Sequence, residues 1–86
     1  MKIREIVIEE RIKGKIFDKH SIENKEIQEI MLSNPFILKS KEQRYMAIGY
    51  YQRYITVIFE MLENVAFIIT AYPSSEAQIR LWKRKR

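Results

Sequence analysis

The stretch Arg44–Tyr72, RYMAIGYYQRYITVIFEMLENVAFIITAY, decides how the rest of the chain is read. It divides into three consecutive strands joined by tight connections. From Arg44 to Tyr50 the residues alternate, with Arg44, Met46, Ile48 and Tyr50 on one face and Tyr45, Ala47 and Gly49 on the other, following the two-residue period of a pleated strand. Tyr51-Gln52-Arg53 is the expected turn. Tyr54 to Phe59 is β-branched or aromatic at every position, a composition that suits a half-buried sheet. Glu63-Asn64 turns into Val65–Tyr72, which is apolar on both alternating faces until Thr70 and Tyr72, as in a central strand covered from both sides.

Working backward, Phe36-Ile37-Leu38 starts a further strand, and the polar run Lys39–Gln43 turns it into the first of the three. A helix from about Asn24 to Leu32 places Ile27, Ile30 and Met31 on one side. It stops at Ser33-Asn34-Pro35, since a proline disfavours the helical conformation of the residue before it. An earlier helix over Glu9–His20 carries Ile12, Ile16 and Phe17 at helical spacing. Its acids stand in the first turn, and Lys19 and His20 in the last, each where the helix dipole favours that charge. Gly14 costs this helix about 1 kcal/mol relative to alanine. Ile6-Val7-Ile8 forms a short first strand. Working forward, Pro73 stops the sheet, Ser74 or Ser75 caps a last helix, and Ala77, Leu81 and Trp82 turn inward. The expected order is β-α-α-β-β-β-β-α: one α+β domain over residues 1–86, with an antiparallel sheet packed by helices.

Composition excludes several classes. With no cysteine and one histidine there is no disulfide framework, thiol nucleophile or zinc site. The carboxylates lack the spacing of a calcium loop, Gly14 and Gly49 stand alone rather than in a phosphate loop, and no cofactor is implied. No apolar run approaches the ~18 residues of a membrane span, and acids arrive in MKIREIVIEE before a signal-peptide core forms. A cytoplasmic location with no membrane contact is the expectation. Sixteen Lys and Arg against eleven Asp and Glu give +5, suiting a polyanionic partner. The acids gather early, whereas Arg80–Arg86 is almost wholly cationic.

What remains for chemistry is a set of cations, one imidazole and several tyrosines, which fits cleavage of RNA without a metal. The 2′-hydroxyl must lose a proton as it attacks the phosphate, and the 5′-oxygen must gain one, work suited to His or Tyr. Charge developing on the phosphate calls for Arg or Lys donors. His20 is the residue type that exchanges protons near neutrality, and it also suits a helix end as a cap. Arg44 suits a phosphate or a carboxylate such as Glu42. Arg53 suits RNA or plain solvent at a turn. Thr70 and Tyr72 share one face near a strand end. Lys19, Arg80, Lys83 and Arg84 are candidate phosphate contacts or simply solvated charges. Trp82 reads as a packing anchor before a base-stacking surface.

Together these residues resemble the BrnT family, small ribonuclease toxins of bacteria with a RelE-like fold. The resemblance is carried by Lys19-His20, by Glu26-Ile27-Gln28-Glu29-Ile30 with Asn34-Pro35, by Arg44-Tyr45-Met46-Ala47-Ile48-Gly49, and by Ile69-Thr70-Ala71. It implies an mRNA-cleaving toxin of a type II toxin–antitoxin pair, neutralised by a cognate antitoxin, with DNA reached only through that antitoxin. It also implies roles for His20, Arg44 and the basic residues of the last helix. The chain departs from the pattern at Tyr72, where the family commonly has arginine, and at Ser21, where glycine normally follows the histidine. The usual tryptophan of the first strand is absent. Arg44, His20 and Tyr72 are the expected catalytic set, with Lys19, Arg53, Thr70, Arg80, Lys83 and Arg84 on the RNA. The alternative is a catalytically silent RelE-like module that binds RNA or protein.

Overall fold

The computed structural model describes residues 2–85. Its elements follow the expected order: β1 (Glu5–Val7), α1 (Glu10–His20), α2 (Asn24–Leu32), β2 (Phe36–Lys41), β3 (Arg44–Tyr51), β4 (Arg53–Leu62), β5 (Val65–Pro73) and α3 (Glu76–Arg84). The strands lie side by side as β1-β5-β4-β3-β2. β2 to β5 form an antiparallel meander. β1 then joins β5 in parallel, pairing Glu5, Ile6 and Val7 with Val65, Ala66 and Phe67. The sheet is therefore mixed rather than wholly antiparallel. Because β1 is so short, it leaves the second half of β5 without a strand on that side.

The connections are tighter than the sequence suggests. Gln52 alone, at φ 66°, carries the β3–β4 turn, and Tyr51 and Arg53 are paired strand residues on either side of it. Arg53 is thus the first residue of β4, not a turn residue. The polar run after β2 also extends as strand to Lys41, with a register shift between Lys39 and Lys41. Glu63 and Asn64 form the expected two-residue turn, at φ 51° and 68°, the left-handed pair whose twist matches the flanking strands.

The core lies on one face of the sheet. Ala47 of β3, Ile55, Val57 and Phe59 of β4, and Ala66, Ile68 and Ala71 of β5 are buried beneath Ile16 of α1 and Ile27, Ile30 and Met31 of α2. Ile22, between the helices, is 1% exposed and closes the layer. Burial of each large aliphatic side chain contributes roughly 1.5–3 kcal/mol. Gly49 lets α2 approach, since a Cβ there would lie 3.0 Å from Ile30 Cγ2. Phe17, expected inward, is half exposed, because Ile16 occupies the inward line of α1.

α3 crosses the opposite face. Ser75 caps it and makes a reciprocal pair of bonds with Gln78. That cap fixes the rotational phase of the helix, so Gln78, Leu81 and Trp82 turn toward the sheet and Ala77 is exposed rather than inward.

Candidate functional site

The α3-covered face carries the candidate site. In the register, Thr56 stands between Ile48 and Tyr72, Tyr50 opposes Tyr54, and Ile58 opposes Thr70. Successive residues of a strand point to opposite faces, so these side chains share the face under α3. Thr70 and Tyr72 are brought together on it, as expected.

Gln78 organises this row. The Ser75 backbone N–H donates to Gln78 Oε1 at 2.9 Å, which fixes the orientation of the amide. The hydroxyl of Thr56, a fully buried residue, also donates to that oxygen at 2.9 Å. With its one hydrogen so used, Thr56 Oγ1 accepts from Ser74 at 2.7 Å. The Gln78 amide nitrogen is left to donate to the Tyr72 hydroxyl at 3.1 Å and to Met46 Sδ at 3.6 Å. Tyr72 Oη is therefore an acceptor toward the protein. Among the described residues no hydrogen bond takes its own hydrogen.

His20 reaches the same place from α1. α1 packs on β5, and β1 pairs no further along β5 than Phe67. The end of α1 thus lies beside an open sheet edge, and the His20 ring stands 6.4 Å from the Tyr72 ring, tilted by 53°. Lys19, next to it, is exposed. An imidazole and a phenol with a free hydrogen can exchange protons, and Lys19 on the adjoining turn can add a positive charge.

The other expected residues lie apart. Arg44 pairs with Glu60 at 3.1 Å, across the strands rather than with Glu42. It stands four residues along the register from the Thr56 row and two strands from β5, about 13 Å along the sheet and about 10 Å across it. The structure does not bring Arg44 to Tyr72 and His20. Arg53 is committed elsewhere too. Its Nε and Nη2 donate to the two oxygens of Glu26 at 3.0 and 2.8 Å, and Nη2 also donates to the Ser21 carbonyl at 2.9 Å. The hydrogen bonds from Arg53 hold the Glu26 carboxyl below the usual range against the opposing effect of its burial.

Arg80, Lys83 and Arg84 are exposed on α3. Lys83 Nζ lies 5.9 Å from the centre of the Tyr54 ring. Gln78 and Thr56 are the members that sequence reasoning missed. Only the Ser-x-x-Gln spacing of the cap pointed to Gln78, and nothing local marked Thr56. Among the described residues, no group of three or more His, Cys, Asp or Glu is placed to hold a metal ion, and no helix is long and apolar enough to cross a membrane.

No protein-family model matches the chain, nor does any curated protein. Among solved structures it is similar to BrnT, a ribonuclease toxin of Brucella abortus. That match has a TM-score of 0.70 and 25% identity, and it covers 84% of this chain and 97% of the other. It bears out the resemblance to the BrnT family carried by the sequence, and with it the α+β fold.

Proposed function

We propose that this BrnT-like chain is the toxin of a type II toxin–antitoxin pair and an endoribonuclease that cleaves mRNA without a metal. The observation that carries the proposal is the pairing of His20 with Tyr72 at the open edge of β5, on a fold shared with a ribonuclease toxin. One of the two takes the proton of the attacking 2′-hydroxyl, and the other protonates the departing 5′-oxygen. The Gln78 amide, aimed at the Tyr72 oxygen, stabilises charge that develops there when the proton leaves. Lys19 neutralises the reacting phosphate. Thr70 borders the RNA, and Arg80, Lys83 and Arg84 hold its backbone. Arg44, at the far end of the same face, contacts flanking backbone rather than the scissile phosphate, while Arg53 supports the fold. The partners are a cognate antitoxin and RNA, met in the cytoplasm.

Incubation of the purified protein with RNA and EDTA tests this. Cleavage is expected to persist in wild type and to fall by about 10²-fold or more in Tyr72→Phe and in His20→Gln. Undiminished cleavage by both folded variants overturns the site. A second reading, a silent RNA- or protein-binding module, draws on one observation: Arg44 and Arg53 are each bonded to a carboxylate away from Tyr72. RNA binding without cleavage by wild type supports it.

A further inference from the structure

Beyond the proton-transfer pair, toward the β3–β4 turn, three aromatic rings meet edge to face. Tyr50 and Tyr54 oppose each other across the strands with centroids 4.8 Å apart at 61°, and Tyr54 meets Trp82 of α3 at 5.3 Å and 74°. Tyr50 also lies 6.4 Å from Trp82. Tyr54 and Trp82 are half-buried and hold the array, whereas Tyr50 is 48% exposed. A ring braced by two others has little freedom left to lose on binding. A cation stands beside the array: Lys83 Nζ lies 5.9 Å from the centre of the Tyr54 ring, while Arg80 and Arg84 are exposed elsewhere on the same helix. An exposed, rigid ring beside a cation on a basic helix is what a single-stranded nucleic acid uses, the base stacking on the ring while a phosphate meets the charge.

We propose that Tyr50 is the platform on which one base of a single-stranded RNA stacks, and that Lys83 holds an adjoining phosphate. The proposal rests on the ribonuclease reading and deepens it by giving the substrate strand a second point of attachment. Tyr50 lies two residues along the sheet and two strands across from Tyr72, about 12 Å away. A strand anchored on Tyr50 therefore has about 12 Å to span to reach Tyr72. A second copy of the chain is a poor occupant, because a self-complementary contact would set Arg80, Lys83 and Arg84 of both copies against each other.

The test uses a short fluorescein-labelled RNA whose 2′-hydroxyls are all methylated to block cleavage. Binding is read by anisotropy and by quenching of Trp82, the one tryptophan of the chain. Tyr50→Ala is expected to weaken binding about 5- to 100-fold, and Tyr50→Phe to bind within about twofold of wild type, the range set by one lost stacking contact. A matched oligonucleotide with a single abasic site, moved along the sequence, gives a readout that does not depend on any variant folding. At one position wild type should bind it as weakly as Tyr50→Ala binds the intact RNA, and Tyr50→Ala should show no further loss there. Equal binding of intact and abasic RNA by wild type at every position overturns the platform, as does an unaffected, folded Tyr50→Ala. If wild type binds with this base dependence but never cleaves unmodified RNA, the platform stands and the ribonuclease reading falls. If wild type binds no RNA, both fall.

Discussion

Arg53 and Glu26, 27 residues apart in the chain, are joined by two hydrogen bonds of 3.0 and 2.8 Å. A third, from Arg53 to the Ser21 carbonyl, draws in the end of α1. One guanidinium thus ties both core-side helices to the tip of the β3–β4 hairpin. Arg53→Ala should destabilise the protein by about 1–2 kcal/mol, a modest figure for charge-assisted bonds because the pair is partly solvated. Lysine, which lacks the fork, should recover only part of this. Urea unfolding midpoints of the three proteins decide it, and a neutral Arg53→Ala would remove the clamp from the account.

The same pair sets an acid limit. The Glu26 carboxyl is held below its ordinary value by the bonds from Arg53, so the folded state binds its proton less readily than the unfolded chain does. Its stabilisation is complete above the unfolded value, near pH 4.5, and is lost as pH falls through the lowered folded value. Unfolding midpoints should drop from about pH 5.5 to pH 3, and Glu26→Gln should flatten part of that slope.

Ser21 holds the left-handed position that ends α1, at φ 55°, with its N–H bonded to the Phe17 carbonyl. A side chain is strained there and glycine is not. Ser21→Gly should raise stability by about 0.5–1 kcal/mol. It leaves the carbonyl bonded by Arg53 in place, so the gain should appear in thermal unfolding without altering RNA cleavage.

Gly49 is limited by space rather than by conformation. A Cβ would lie 3.0 and 3.3 Å from two carbons of the fully buried Ile30 and 3.4 Å from Pro35. Gly49→Ala should cost about 1–3 kcal/mol through displacement of α2. Ile30→Val in the same chain should return part of the loss, and additive losses would place the strain elsewhere.

Arg44 separates two readings of its own. Its ion pair with Glu60 is exposed, with side chains 40% and 48% accessible, so Arg44→Ala should change stability by less than about 1 kcal/mol. If it grips flanking backbone, KM should rise and the salt dependence of RNA binding should soften by about one phosphate contact, with kcat within about twofold. A fall of about 10²-fold in kcat would put it at the scissile phosphate instead.

Much of the fold is legible in the chain because local signals agree with it. The unbroken β-branched and aromatic run Tyr54–Phe59, the Glu63-Asn64 turn, Pro35 after α2 and the Ser74-Ser75 step before α3 each mark an element in the right place. The parallel entry of β1 is not legible, since three residues carry no record of a partner sixty positions away. The phase of α3 is missed for a related reason: its apolar residues suggest Ala77 inward, while the Ser75–Gln78 cap turns Gln78 inward instead. At the site, Tyr72, Thr70 and His20 stand out by residue type. Gln78 and Thr56 do not, because a glutamine on a basic helix and a threonine in a strand look ordinary until their five side-chain hydrogen bonds are seen together. Arg44 and Arg53 stand out equally, and only tertiary pairing shows which carboxylates occupy them.

The pairing of β1 with β5 bears on how the molecule assembles. The hairpins from β2 to β5 are made of neighbouring segments and can zip in sequence, but β1 has no place to dock until the β4–β5 hairpin exists. Closing so long a loop for three residue pairs is entropically expensive and slow. β1 is therefore expected to join last and to open first, while the meander persists. Hydrogen exchange at Ile6 and Val7 should then report a partial opening well below the global unfolding energy, and a chain still leaving the ribosome would hold its meander incomplete, and its His20–Tyr72 pair unassembled, until β5 has emerged.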